Sequence, residues 1–357
     1  MAVLHNRINN RELKEQLLLD PTARTTISFY RYWSIEHPKA FRDFLYKALS
    51  NLQVLGRIYI ASEGINAQIS VPTAGMQDFQ MFIESIPGLE NLRLNLAVED
   101  NGKSFWVLKV KLRDKIVADG IEDASFSMTK KGRYINAAQM NAMINEQQAL
   151  IIDMRNHYES EIGHFVGAIT PDVDTFRDEL PLVVDMLKDK KDQPVVMYCT
   201  GGIRCEKASA WLKHNGFNQV YQLNGGIIEY ARQVQQQGLE NKFRGKNFVF
   251  DRRLGERISE EIIAQCHQCG KPADTHTNCR NQGCHLLFIQ CEDCAKAYNG
   301  CCCEECMQVV ALPEEEQKQM RRGLNPGRKV FKKGRGEQLT FKKSMQDMSV
   351  SKMQGEQ

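Results

Sequence analysis

The sequence predicts a multidomain protein in which an α+β domain precedes a parallel α/β domain and a cysteine-rich, metal-binding region. Three observations predict it. Apolar and polar periodicities over the first 113 residues run in the order βαββαβ. Short apolar runs alternate with helical patterns between about residues 126 and 240. Ten of the twelve cysteines crowd into residues 266–306. A chain of 357 residues suits two or three domains. Its 42% hydrophobic and 25% charged content allows each domain an apolar core. The net charge of +3 is nearly balanced, but unevenly distributed.

The first domain begins with "RTTISFYRYW", a loosely alternating strand. In "PKAFRDFLYKALSNL" the residues Phe41, Phe44, Leu45, Ala48 and Leu49 repeat at helical spacing. "VLGRIYIA" and "INAQISV" read as strands joined by "SEGI". Glu63, Gly64 and Asn66 at that join read as an ordinary hairpin turn. "AGMQDFQMFIESI" reads as a helix, and "LRLNLAVE" and "SFWVLKVKLR" as strands. The order is that of the split βαβ unit of ferredoxin-like folds. Residues 103–120 read as a hinge.

In the second domain "ALIIDMR" and "PVVMYC" are buried strands, "CEKASAWLKHNGF" an amphipathic helix, and "VYQLNGGI" a strand with a turn. Such alternation implies a parallel sheet covered on both faces. The predicted boundaries are 1–120, 121–240, 241–312 for the cysteine-rich region, and 313–357 for a basic, partly disordered tail.

"CTGGIRC" carries the chemistry. Cys199 falls just past a strand's carboxyl end, where open α/β sheets place their sites. Thr200, Gly201, Gly202 and Ile203 form a loop whose N–H groups turn inward at a helix start. Arg204 adds a fixed cation, and the set favours a thiolate. Four residues separate Cys199 from Arg204, where the anion loop of cysteine phosphatases has five. The tighter ring suits an oxidised or sulfur-bearing cysteine. Asp153 and Arg155 either line the pocket or form an ion pair that orders nearby loops. Cys205 opens the helix, so a depressed pKa is expected there too. It either resolves an oxidised Cys199 as a disulfide or packs.

The cysteine block contains the C-x-x-C pairs Cys266/Cys269, Cys291/Cys294 and Cys303/Cys306, with Cys279 and Cys284 between them. Two such knuckles complete a tetrahedral zinc site. Eight cysteines serve two structural zinc ions, with His267, His276 and His285 as further candidate ligands. An iron–sulfur cluster is the rival reading. Residues 318–343 hold ten Lys or Arg residues, among them Arg321, Arg322, Arg328, Lys329, Lys332 and Lys333, against one acid, Glu337. Phe331 and Phe341 are interleaved. This pattern suits RNA, the alternative being a solubilising tail.

No apolar stretch approaches the roughly 20 residues that span a bilayer. The first residues carry charges where a signal peptide has an apolar core. A cytoplasmic protein without membrane contact is expected, its cysteines reduced, metal-bound or catalytic.

Residues 126–235 resemble the rhodanese (sulfurtransferase) domain, through "IIDMRNHYESEIGHFVGAI", the "CTGGIRC" loop and "VYQLNGGI". The resemblance puts Cys199 on the persulfide-forming nucleophile. With "EGINAQISV", "KVKLRDKIVADGI", "NFVFDRR" and the cysteine block, most of residues 25–325 resembles the bacterial rhodanese-domain tRNA uridine hydroxylases. That resemblance implies hydroxylation of carbon 5 of the wobble uridine of tRNA with dioxygen as co-substrate, and Cys199 as the active-site cysteine. Two other readings stay open: a sulfurtransferase that delivers persulfide sulfur to RNA or a small acceptor, and a non-catalytic rhodanese scaffold that binds RNA.

Overall fold

The computed structural model describes residues 10–146, 149–323, 339 and 341. It divides into two compact units. One comprises Met1–His157, Phe165–Phe243 and Asn247–Ile258; the other comprises Tyr158–His164, Arg244–Lys246 and Ser259–Gln357.

The first unit opens with α1 (Asn10–Leu19), β1 (Arg24–Tyr32) and α2 (Pro38–Asn51). Pro38 starts α2, where its missing N–H is no loss, and Leu45 and Leu49 bury one face four residues apart. β2 (Leu55–Ala61), β3 (Gly64–Pro72), α3 (Met76–Glu84), β4 (Asn95–Leu96) and β5 (Leu108–Leu112) follow. Gly64, at φ +144°, starts β3 because a Cβ there would lie 2.0 Å from the Arg31 carbonyl oxygen.

The sheet order is β4-β1-β3-β2-β5. Its first four strands have the arrangement of a split βαβ unit, and β5 adds an edge parallel to β2. β4 is far shorter than "LRLNLAVE" predicts. The Asp100 carboxylate takes the Thr26 N–H at 2.5 Å and its hydroxyl at 2.9 Å, which ends the ladder early.

The expected hinge is instead tied down. Ile116 is buried, its N–H donates to Glu63 Oε1 at 2.9 Å, and its carbonyl accepts from Asn66 Nδ2 at 3.1 Å. Glu63 and Asn66 are therefore anchors rather than mere turn residues.

Next come β6 (Arg133–Ile135), α4 (Ala137–Asn145), β7 (Leu150–Asp153), α5 (His157–Ser160) and β8 (Gly163–Phe165). They are followed by α6 (Phe176–Met186), β9 (Val195–Tyr198), α7 (Ile203–His214), β10 (Val220–Leu223) and α8 (Gly226–Gln237). The strands pair in parallel in the order β6-β10-β9-β7. Alternate residues serve opposite faces. Ile152, Val195 and Met197 pack with Leu180 of α6 and Leu212 of α7. Ile151, Val196 and Tyr198 pack with Met140 of α4 and Ile227 of α8. Both faces are covered, as the uninterrupted apolar runs require.

β11 (Phe243–Asn247) and β12 (Glu256–Arg257) lead on to β13 (His276–Asn278), β14 (Leu287–Ile289), α9 (Glu292–Ala297), α10 (Glu304–Ala311) and α11 (Glu314–Arg321). In the second unit β13 and β14 form an antiparallel pair. Cysteines make up much of its small core, with Leu286, Phe288 and Leu339. Among the described residues no helix is long and apolar enough to cross a membrane.

Candidate active site and cysteine cages

Cys199 leaves β9 with 1% of its surface exposed. Gly202 takes φ +104° and ends the loop, so that α7 begins at Ile203. Its N–H donates to Cys199 Sγ at 3.2 Å. The N terminus of α8 abuts the same loop: the Ile227 and Ile228 N–H groups donate to the carbonyls of Cys199 and Thr200 at 3.0 and 3.2 Å. Gly226 permits this approach, since a Cβ there would lie 2.4 Å from the Cys199 carbonyl oxygen.

Burial opposes the Cys199 thiolate. The hydrogen bond from the Cys205 thiol, the Arg204 charge and the N–H groups of Cys205 and Gly202 outweigh it, bringing the thiol down to about 6. Cys205 behaves in the opposite sense. Burial, and then its hydrogen bond to Cys199, push it well above the ordinary thiol range. The depressed pKa expected of Cys205 from its place in the helix is thus corrected: it is a donor. Arg204 is buried, with its guanidinium 6.0 Å from the centre of the Phe250 ring.

Asp153 and Arg155 are wholly buried and bonded to each other, Nε to Oδ1 at 2.8 Å and Nη2 to Oδ2 at 2.6 Å. Tyr198 Oη donates to Asp153 at 2.7 Å. The two form an ion pair at the end of β7, beside β9.

No local sequence signal points to what stands over the loop. Tyr30 Oη donates to Glu206 at 2.9 Å, Tyr32 Oη to the Ile203 carbonyl at 3.3 Å, and Asn95 Nδ2 to the Gly201 carbonyl at 3.4 Å. Lys131 also pairs with Glu206. Lys207 is buried between Glu63 at 2.5 Å and Asp119 at 2.7 Å. Tyr30, Tyr32, Asn95, Lys131 and Glu206 also line a cleft of about 370 Å³, together with Arg31, Arg93, Tyr134, Gly201 and Gly225, among others. The contributing segments are far apart in sequence, and only the local "CTGGIRC" signal pointed to the place.

In the second unit eight cysteines form two cages. Cys266, Cys269, Cys291 and Cys294 make one; Cys279, Cys284, Cys302 and Cys306 make the other. In each, the sulfurs lie within 4.8 Å of one another. Cys303 is therefore corrected to Cys302. Cys303 is the N-cap of α10, while Cys302 and Cys306 stand four residues apart with their sulfurs 3.7 Å apart. No histidine joins either cage among the described residues. His267 instead contacts Glu161 at 2.9 Å and accepts the Ile289 N–H. A tetrahedral ion with metal–sulfur bonds of ~2.3 Å sets its sulfurs ~3.8 Å apart. The Cys269–Cys291 and Cys284–Cys302 distances are both 3.6 Å, so the donors fit one cation per cage.

Arg321 and Arg322 end α11. Arg328, Lys329, Lys332, Lys333 and Phe331 lie outside the described residues. The Phe341 ring packs against Gly270 rather than standing free to stack on a base.

Residues 24–116 match the family described as UPF0176 acylphosphatase like domain, 136–233 the Rhodanese-like domain, and 244–307 the Rhodanase C-terminal family. A tRNA uridine(34) hydroxylase of Enterobacter sp. (strain 638) is 58% identical over 337 residues, which cover 94% of this chain and 97% of that one. Another, of Salmonella schwarzengrund (strain CVM19633), is 58% identical over 348 residues, covering 97% and 99%. Likeness of that extent runs through all three matched regions, and the chain belongs to the tRNA uridine(34) hydroxylase family.

Proposed function

We propose that the chain hydroxylates carbon 5 of the wobble uridine of tRNA, as an oxidoreductase with dioxygen as co-substrate, in the cytoplasm. The single observation that carries this reading is its near full-length identity to proteins named for that reaction. The Cys199 loop supplies a group suited to it, a buried sulfur held as thiolate near neutral pH. In this reading Cys199 is the reactive atom, and Arg204, Cys205 and the Gly202 N–H hold its charge. Asp153 and Arg155 position the strand beneath it.

Each cysteine cage would hold one zinc ion, Cys266, Cys269, Cys291 and Cys294 binding one and Cys279, Cys284, Cys302 and Cys306 the other. Four thiolates leave no open position, which makes the ions structural. The cage size supports a single ion over a four-iron cluster, whose thiolates sit on separate irons and stand farther apart. Arg321, Arg322, Arg328, Lys329, Lys332 and Lys333 would contribute to tRNA affinity through its phosphates.

The test is mass spectrometry of nucleosides from tRNA incubated with the protein under heavy-isotope dioxygen. Adding oxygen and replacing oxygen by sulfur change nominal mass equally, so only the isotope separates them. Heavy label in uridine is expected, and Cys199→Ser should abolish it. A mass gain without label would favour persulfide transfer from Cys199 and overturn hydroxylation.

A further inference from the structure

The cleft above the Cys199 loop has an unusual charge balance. Its only carboxylate among the lining residues is Glu206, which is already engaged by Tyr30 and Lys131. Arg31 Nη2 donates only to backbone, the carbonyls of Glu90 and Asn91 at 3.0 and 3.4 Å. Neither Arg31 nor Arg93 has a carboxylate partner among the described residues. Two arginines at a concave site, uncompensated by acid, concentrate positive potential there and favour an anion.

The remaining walls are of another kind. Tyr30 and Tyr32 meet edge to face, with ring centres 6.0 Å apart, and Tyr134 lines the same cleft. Burial, followed for Tyr30 and Tyr134 by the Glu206 charge, raises all three phenols, so they remain neutral donors. Asn95 lines the cleft too. Its Oδ1 is buried with no donor among the described residues. An amide oxygen left without a donor is unfavourable, and the N3–H of a uracil is such a donor.

A cleft of about 370 Å³ falls in the range of small-molecule sites. Its volume is on the scale of one nucleotide. We infer that this cleft receives a single extruded pyrimidine nucleotide of RNA. The base lies among the tyrosines at the Gly201 edge of the Cys199 loop, and the flanking phosphates lie on Arg31 and Arg93. The inference rests on the RNA reading above and names where the target nucleotide sits. It assigns the positioning to the first domain and the edge of the loop, not to the basic tail. An unpaired loop base suits such a site, because leaving the stack is then least unfavourable.

The experiment uses the full-length protein under nitrogen and an RNA hairpin with 4-thiouridine at the target position. After irradiation, cross-linked peptides are mapped by mass spectrometry. Cross-links are expected on peptides carrying Tyr30, Tyr32 or Tyr134. Arg31→Gln and Arg93→Gln should each weaken hairpin binding at least tenfold. Each should also lower the slope of log affinity against log salt by about 0.7, the value for one contact to single-stranded phosphate. Arg93→Lys should keep that slope. Cross-links confined to other peptides, or unchanged affinity and slope in both Gln variants, would overturn the assignment. Heavy-oxygen labelling by the wild-type protein reports on hydroxylation separately. Label with cross-links only elsewhere removes the cleft and leaves the reaction; cross-links in the cleft without label do the reverse.

Discussion

Cys199 ionises against its surroundings. A sulfur with 1% exposure loses nearly all hydration, yet its thiol lies at about 6 because donors replace the water. Alkylation rate against pH should therefore show a midpoint near 6 in the wild-type protein. Cys205→Ala removes a hydrogen bond to an ionised group, ~1.5–3 kcal/mol, and should raise that midpoint by about 1 to 2 units. A midpoint unchanged by that substitution would mean that Arg204 and the backbone suffice. The linkage has a definite sign. The folded pKa lies below the unfolded value near 9, so the ionised thiol stabilises the fold above pH 9 and loses that effect as pH falls toward 6. Urea unfolding at both pH values, compared with Cys199→Ser, measures it. The loop was legible in the sequence because its parts are contiguous. Cys302 was not: within "CCC" the spacing rule cannot say which sulfur turns inward, and the start of α10 decides it.

At the scale of elements, α7 does more than follow the nucleophile. Its Glu206 and Lys207 are both buried, and both bind residues of the first domain. Lys207→Met would remove the cation that Glu63 and Asp119 share, leaving Asp119 to Lys115 and the partly exposed Glu63 to solvent. It should destabilise the first unit in chemical denaturation by less than the roughly 3–5 kcal/mol of a fully uncompensated buried charge. Strand and helix order were legible because apolar periodicity is local. The short β4 was not, since the side chain that ends it, Asp100, sits outside the strand and meets Thr26 only in the folded chain. The tyrosines and arginines of the cleft stayed hidden for the same reason. Tyr30 on β1 is an ordinary strand residue until Glu206 arrives beside it.

For the whole molecule, the two cages predict two metal equivalents per chain by elemental analysis. Cys302→Ser should lose one of them and Cys303→Ser neither. Removal of the metal by a strong chelator should unfold the second unit, since cysteines fill so much of its core. Circular dichroism and proteolysis of residues 259–323 would follow that loss. A different consequence comes from the contacts that Tyr30 and Tyr32 make with the start of α7. Tyr30 and Glu206 are separated by 176 residues. During synthesis the first domain leaves the ribosome long before its partner helix, and domains fold largely as they emerge. The nascent chain thus carries a finished β-sheet with an uncovered rim for many seconds, at roughly 5–20 residues added per second. Maturation of the reactive sulfur is consequently a late event, timed by the arrival of α7 at a surface already waiting for it.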